Sequence, residues 1–323
     1  MQVLKESAAD VLENAFPGAV LRDVSLATIS RWRIGGRADV IARPRNIEEL
    51  CHLRAFLAAA DIRHVVIGAT SNLLFADEGL RAVAVQIGHH FSSVVVSGKE
   101  ITAGAGAWVP GLARRAMQAG LAGIEHTCGI PGTLGGLVCM NGGSQRRGIG
   151  EAITEVTSVD SGGRLLRRDA AGCGFAYRRS AFQGNDEVVV SARLELTPAL
   201  VRGDIRRRML AIMGDRRRKF PHHTPNCGSV FVSNPAMYAQ YGPPGAVIER
   251  LGFKGRRIGG AEVSPQHANF IINSGGARAQ DVLGLITGIK TAVHRETGYD
   301  MEVEARYVRP DGAMVPADYA AID

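Results

Sequence analysis

The chain has 323 residues, a net charge of +7, and 46% hydrophobic against 21% charged residues. That balance excludes a disordered chain and leaves room for two or three domains with cores. No apolar run approaches the roughly 20 residues that span a bilayer, and Met1–Glu13 lacks the apolar core of a secretory signal. A soluble, cytoplasmic protein without membrane insertion is expected.

In chain order, residues 47–60 read as a helix with apolar positions at 50, 53, 56 and 57. The strand Val65–Ile67 follows and ends in the turn Gly68-Ala69-Thr70-Ser71-Asn72. Residues 82–87 and 92–96 are strand-like, and 100–103 lead into a second turn, Gly104-Ala105-Gly106. Residues 108–119 form an amphipathic helix, and 123–128 read as loop. Strands are expected over 153–160 and 188–196, with a polar hairpin at Ser161-Gly162-Gly163-Arg164. A helix from about Gly203 to Lys219 carries Arg clusters and stops before Pro221, where the turn-forming run Pro221–Asn226 marks a boundary. Beyond it come a Pro-Gly loop at 241–245, a helix over 246–251, a strand over 268–273, a helix over 280–297 and a strand over 302–308. The sequence predicts an α+β protein.

The densest feature is residues 129–143, where six of fifteen residues are Gly. Glycine is kept where φ is positive or where another group approaches closely, and bare N–H groups wrapping a phosphate are a common reason. Three glycine turns before residue 145 point to a long, diphosphate-bearing cofactor held by loops. They do not fit the dinucleotide fingerprint: Gly104-Ala105-Gly106 lacks a third Gly, Gly132–Gly136 follows no strand, and no phosphate-loop lysine motif is present.

Other constellations are weaker. Cys51, Cys128, Cys139, Cys173 and Cys227 contain no Cys-x-x-Cys pair and read as buried small side chains. Cys227 stands apart because it lies two residues before Ser229. The basic runs 206–208, 216–219 and 256–257 lack interleaved aromatics, so nucleic acid is not expected. His222 and His223 are adjacent and point apart on an extended chain, so no metal is expected.

An ordered series of motifs is similar to one flavoenzyme family. It runs through Trp32-Arg33-Ile34-Gly35-Gly36, Ser71-Asn72-Leu73-Leu74, Gly104-Ala105-Gly106, Gly129-Ile130-Pro131-Gly132-Thr133-Leu134-Gly135-Gly136 and Cys173-Gly174-Phe175-Ala176-Tyr177-Arg178. It continues in Cys227-Gly228-Ser229-Val230-Phe231, residues 254–261, His267-Ala268-Asn269-Phe270-Ile271 and Glu302–Arg306. The series, over residues 28–309, resembles the UDP-N-acetylenolpyruvoylglucosamine reductases (UDP-N-acetylmuramate dehydrogenases), of the smaller type without an extra substrate loop.

The resemblance implies a FAD-binding part of the vanillyl-alcohol-oxidase type over 1–200, built from α+β subdomains at about 1–90 and 91–200. A smaller α+β substrate-binding domain follows over 201–323. It implies NADPH as electron donor, reduction of UDP-N-acetylglucosamine enolpyruvate for peptidoglycan, and a monomer. Ser229 would deliver a proton, and Arg178 and Glu304 would bracket the substrate carboxylate. FAD would contact Gly68, Ala69, Thr70, Ser71, Asn72, Leu73, Gly104, Gly106, Gly129, Ile130, Pro131, Gly132, Gly135, Gly136 and Asn141. It would do so noncovalently, since residues 65–75 hold neither His nor Cys. Substrate would meet Tyr177, Asn234, Arg257 and Asn269. Taken singly, Ser229 also reads as a cap, Arg178 as a surface cation and Glu304 as a solvent-facing strand residue.

The chain departs from the family pattern where Gly-Gly-Gly-Ser-Asn becomes Gly68-Ala69-Thr70-Ser71-Asn72 and where Phe-Lys-Asn-Pro becomes Phe231-Val232-Ser233-Asn234-Pro235. Tyr238–Tyr241 is an added stretch. These changes keep a second substrate open: a related enolpyruvyl nucleotide sugar of another envelope or capsule pathway.

Overall fold

Alternation along Val188–Glu195 decides the largest sheet: Ala192 and Leu194 are buried while Arg193 and Glu195 face out. In a computed structural model, which describes residues 2–319, this strand pairs antiparallel with Ile153–Val159 on one side and Glu100–Gly104 on the other. Leu165–Asp169 and Val94–Ser97 complete five antiparallel strands. The expected polar hairpin closes one edge: Arg164 N–H donates to Asp160 Oδ1 at 2.9 Å and Asp160 N–H to Arg164 O at 3.0 Å. Its second strand, Leu165–Asp169, has no strand signal of its own, because its side chains alternate only between exposed and half-buried.

This sheet belongs to the first of two compact units, residues 1–21, 41–69 and 85–216; the second comprises 22–40, 70–84 and 217–323. Strands Val20–Ser25, Arg37–Ala42 and Leu80–Gln86 each run across that division. In the first unit, helix Ile47–Ala59 starts where Asn46 accepts from Glu49 N–H, and it buries Leu50, Leu53 and Leu57. Helix Val109–Gln118 buries Val109, Leu112, Ala113 and Ala116. Ile205, Met209 and Ile212 of helix Arg202–Lys219 pack with Ala113 and Cys128.

The second unit has its own core, in which Trp32, Phe231 and Phe253 pack with Val282, Leu285, Ile286, Ile289 and Val293 of helix Ala279–Thr297. The buried indole of Trp32 keeps its N–H satisfied by donating to Ile271 O at 2.8 Å. Ala261–Val263 lies between Arg257–Ile258 and Ile271–Asn273 in an antiparallel sheet. Leu73–Phe75 pairs in parallel with Arg306–Val308, which pairs antiparallel with Met314–Pro316.

Two expected strands are shorter than the sequence suggests. The stretch 268–273 pairs only over Ile271–Asn273, and 302–308 only over Arg306–Val308, preceded by a lone bridge between Phe231 and Val303. The expected loop 123–128 contains a tight helical turn, Glu125–Thr127. Among the described residues, no helix is long and apolar enough to cross a membrane.

Candidate active site

Within the first unit the second and third glycine turns meet, and Gly68, which opens the first turn, lies beside Thr133. Gly135 N–H donates to Ala105 O at 2.7 Å, Leu134 N–H to Ala107 O at 2.9 Å, and Val109 N–H to Gly132 O at 3.0 Å. Trp108 bridges Thr133. A Cβ on Gly68 would sit 2.6 Å from Thr133 Oγ1, so a side chain there would fill the space between the first and third turns. A Cβ on Gly106 would lie 1.9 Å from Gly88 O, so that glycine serves the packing of the turn itself. Loops drawn together around a space too narrow for side chains fit a diphosphate held by main-chain groups.

Some residues expected at the cofactor have their side chains engaged by the protein. Asn141, buried, donates from Nδ2 to Ala176 O at 2.8 Å and accepts at Oδ1 from Gly150 N–H at 2.9 Å. Thr70 takes the left-handed conformation at φ 53° that its replacement of Gly puts under strain. Its hydroxyl holds it there, donating to Ile29 O at 2.8 Å and accepting from Arg31 N–H at 3.3 Å. Asn72 Nδ2 donates to Glu304 O at 2.9 Å, and Asn72 O accepts from Arg306 N–H at 3.0 Å. The turn expected to meet the cofactor thus grips the main chain on both sides of Ala305.

Ser229 and Glu304 come together on adjacent segments of the second unit. Glu304 N–H donates to Val230 O at 2.8 Å and Val232 N–H to Glu302 O at 2.9 Å. Both side-chain-bearing residues are half-buried. Cys227 is buried in the core beneath this segment; burial, reinforced by the Glu304 charge, pushes its thiol well above the usual range, so it stays an uncharged thiol. Asn226, read from sequence only as part of a turn-forming run, shapes the approach: Oδ1 accepts from Gly228 N–H at 2.9 Å and Nδ2 donates to Pro221 O and Thr224 O at 2.9 and 2.7 Å.

Arg178 belongs to the first unit. Its guanidinium donates to Gly143 O at 3.0 Å, its carbonyl accepts from Gln183 Nε2 at 3.0 Å, and its backbone is left-handed at φ 58°. Exposed Tyr177 lies under it, with the guanidinium carbon 5.1 Å from the ring centre. Among the four expected substrate contacts, Asn234 caps helix Pro235–Tyr241 through Oδ1, and exposed Arg257 pairs with Glu262 at 2.7 Å. Asn269 is buried against Phe231. A cleft of about 410 Å³ in the first unit, lined by Gly123, Glu125, Arg147, Leu200 and Arg208 among others, contains none of the expected site residues. No group of three or more metal-ligating side chains occurs among the described residues.

Comparison with known proteins matches the two parts separately. Residues 38–169 match the FAD binding domain family, and 220–308 match the C-terminal domain of UDP-N-acetylenolpyruvoylglucosamine reductase. A UDP-N-acetylenolpyruvoylglucosamine reductase 1 of Corynebacterium glutamicum is 44% identical over 98% of this chain and 95% of its own length. The chain belongs to the UDP-N-acetylenolpyruvoylglucosamine reductase family. The Moorella thermoacetica member is 40% identical over 92% of this chain and 95% of its own length. The crystal structure of the Thermus caldophilus reductase superposes with a TM-score of 0.76 at 30% identity, covering 88% of this chain and 98% of that one.

The FAD-binding match spans the three glycine turns and Asn141; the reductase C-terminal match spans Ser229, Asn234, Arg257, Asn269 and Glu304. Tyr177 and Arg178 fall between the two matches. The expected α+β fold is shared with the Thermus caldophilus structure, and the expected FAD-binding domain is matched over residues 38–169.

Proposed function

We propose that this chain is the FAD-dependent, NADPH-consuming reductase that converts UDP-N-acetylglucosamine enolpyruvate to UDP-N-acetylmuramate for peptidoglycan. The carrying observation is the direct main-chain link between the Ser229 and Glu304 segments, Glu304 N–H to Val230 O at 2.8 Å. The three converging glycine turns would hold FAD noncovalently. Bound FAD supplies the hydride chemistry between NADPH and the enolpyruvyl double bond.

The residues then divide the remaining work. Arg178, fixed by its bond to Gly143 O, presents a planar fork that suits the substrate carboxylate. Glu304 flanks the same carboxylate, where it is either protonated or paired with a guanidinium, since two bare negative charges repel. Ser229 donates its hydroxyl proton to the substrate carbon left electron-rich by hydride addition, and needs polarising neighbours because a free hydroxyl is a weak acid. Tyr177, Asn234 and Arg257 are assigned to the substrate side, whereas the Asn269 carboxamide is turned to the Phe231 main chain. In this reading residues 1–200 bind FAD and 201–323 the nucleotide sugar, in a cytoplasmic monomer.

A second reading keeps the chemistry and changes the sugar, because the added stretch Tyr238–Tyr241 extends helix Pro235–Tyr241, which begins only six residues after Ser229. One experiment addresses both. The yellow protein is reduced anaerobically with NADPH, then mixed with UDP-N-acetylglucosamine enolpyruvate while flavin absorbance is followed. Rapid reoxidation is expected; reduction without reoxidation would transfer the reading to another enolpyruvyl sugar, and a colourless protein that takes up no FAD would end it. Acid precipitation should leave the flavin in solution; flavin pelleting with protein would defeat the noncovalent assignment.

A further inference from the structure

Asn269 does something other than face a substrate. Its Oδ1 accepts from Phe231 N–H and its Nδ2 donates to Phe231 O, both at 2.9 Å. One carboxamide therefore satisfies both main-chain groups of a single residue, as a facing β-strand residue would. Both partners are deep in the protein, with Asn269 7% and Phe231 2% exposed. Without the amide, two buried main-chain groups would lose their partners.

The position of this clamp follows from an irregularity. Asn226 bridges Ile272, and Asn273 N–H donates to Pro225 O at 2.9 Å, an ordinary antiparallel register. The next contact, Val230 N–H to Asn269 O at 2.9 Å, is out of that register by one residue. The extra residue lies in 227–229, where Gly228 is left-handed at φ 88°. Ser229 thus sits on a bulge, a device that re-aims a side chain but leaves the ladder open behind it. The Asn269 amide closes the ladder at Phe231, while Phe231 bridges Val303 on its other edge.

We propose that Asn269 is a positioning residue that fixes the Ser229 bulge against the Glu304 segment. This rests on the reading of Ser229 as proton donor. Holo Asn269→Ala should keep flavin reduction by NADPH within about threefold, while the limiting rate of reoxidation by the enolpyruvyl sugar falls roughly 10- to 100-fold, the scale of a small misplacement at a reacting centre. Half-saturation by the sugar should stay unchanged. By hydrogen exchange, the Phe231 amide should lose protection while the strand Ala261–Val263 keeps it.

Asn269→Asp retains the acceptor for Phe231 N–H, should recover part of the rate, and carries the test if Asn269→Ala does not fold. A raised half-saturation with an unchanged limiting rate would make Asn269 a substrate ligand and overturn the proposal. Equal loss in both half-reactions, or flavin loss, would make it merely structural and also overturn it. Ser229→Ala measured alongside separates the layers: unimpaired reoxidation in that variant removes the proton-donor reading itself, whereas impaired reoxidation there with a normal Asn269→Ala removes only the positioning role.

Discussion

Glu304 and Val230 share a main-chain hydrogen bond of 2.8 Å, Glu304 N–H to Val230 O, which ties the flanking carboxylate to the neighbour of the proposed proton donor. The link uses no side chain of Ser229. Ser229→Ala should therefore leave the segment in place and keep reduction by NADPH nearly intact, while reoxidation by the enolpyruvyl sugar slows by about 10²- to 10⁴-fold. Single-turnover flavin absorbance resolves the two steps. Equal slowing of both would deny Ser229 a dedicated role in proton delivery.

Asn72 extends the same connection to the turn assigned to the cofactor, through its bond to Glu304 O at 2.9 Å. Asn72→Ala should slow reoxidation and also weaken FAD retention, because one side chain anchors the turn and the Glu304 segment together. The two effects can be read from one preparation by flavin titration and stopped-flow absorbance. Weakened retention with an unaltered reoxidation rate in the flavin-saturated variant would show that Glu304 does not depend on this grip.

Glycine density and motif order were legible in sequence because they report main-chain demands: the close approach at Gly68 and the left-handed turn at Gly228 admit few residues. The destinations of amide side chains were not. Asn141, Asn234 and Asn269 each resemble ligand contacts on paper, yet each spends its side chain on a main-chain group, since a carboxamide offers the same donor and acceptor to a backbone as to a ligand. Helix Leu134–Cys139 was hidden for a different reason: Gly135 and Gly136 lie inside it, and packing rather than propensity holds it. The strand expected over 268–273 begins only at Ile271, because a buried apolar run carries no record of whether a side chain has replaced the ladder.

Thr70 offers a test of strain against hydrogen bonding. Thr70→Val keeps the unfavourable φ of 53° and removes the hydroxyl that serves Ile29 O and Arg31 N–H; it should cost about 2 kcal/mol or more. Thr70→Gly loses the same bonds but relieves a left-handed penalty of about 1–2 kcal/mol, so the loss should be clearly smaller. Urea unfolding of the two variants gives the difference directly. A glycine variant less stable than the valine one would contradict this account of the turn.

Acid should loosen the Asn269 region through His267. Burial chiefly, and then the Lys254 charge, lowers the His267 pKa, and Nδ1 accepts from Asn269 N–H at 3.2 Å. A lowered folded value means the contribution is present above the unfolded value of about 6.5 and is lost as pH falls through the folded one. Protonation would place a proton on the very nitrogen that accepts. Stability measured by urea unfolding should decline as pH falls below about 6.5, and His267→Asn, which keeps an acceptor without titrating, should decline less. Parallel curves for the two proteins would rule His267 out as a source of the loss.

Cysteine reactivity reports whether the Ser229 segment stays closed. Burial pushes the Cys173 thiol up to about 11 and raises Cys128 and, more strongly, Cys227. With the thiolate as the reacting species, these three should be slow toward iodoacetamide at pH 7.5. Cys51 is half-buried, and although burial raises its thiol as well, it is accessible. Mass spectrometry of the folded protein should find label on the half-buried Cys51 and Cys139 before the other three, with Cys227 unmodified until denaturant is added. Because Cys227 packs in the core two residues before Ser229, labelling it as fast as Cys51 would require that segment to open from the core in the native protein. A fixed bulge at Ser229 could not survive that opening, so the same outcome would count against the positioning role of Asn269.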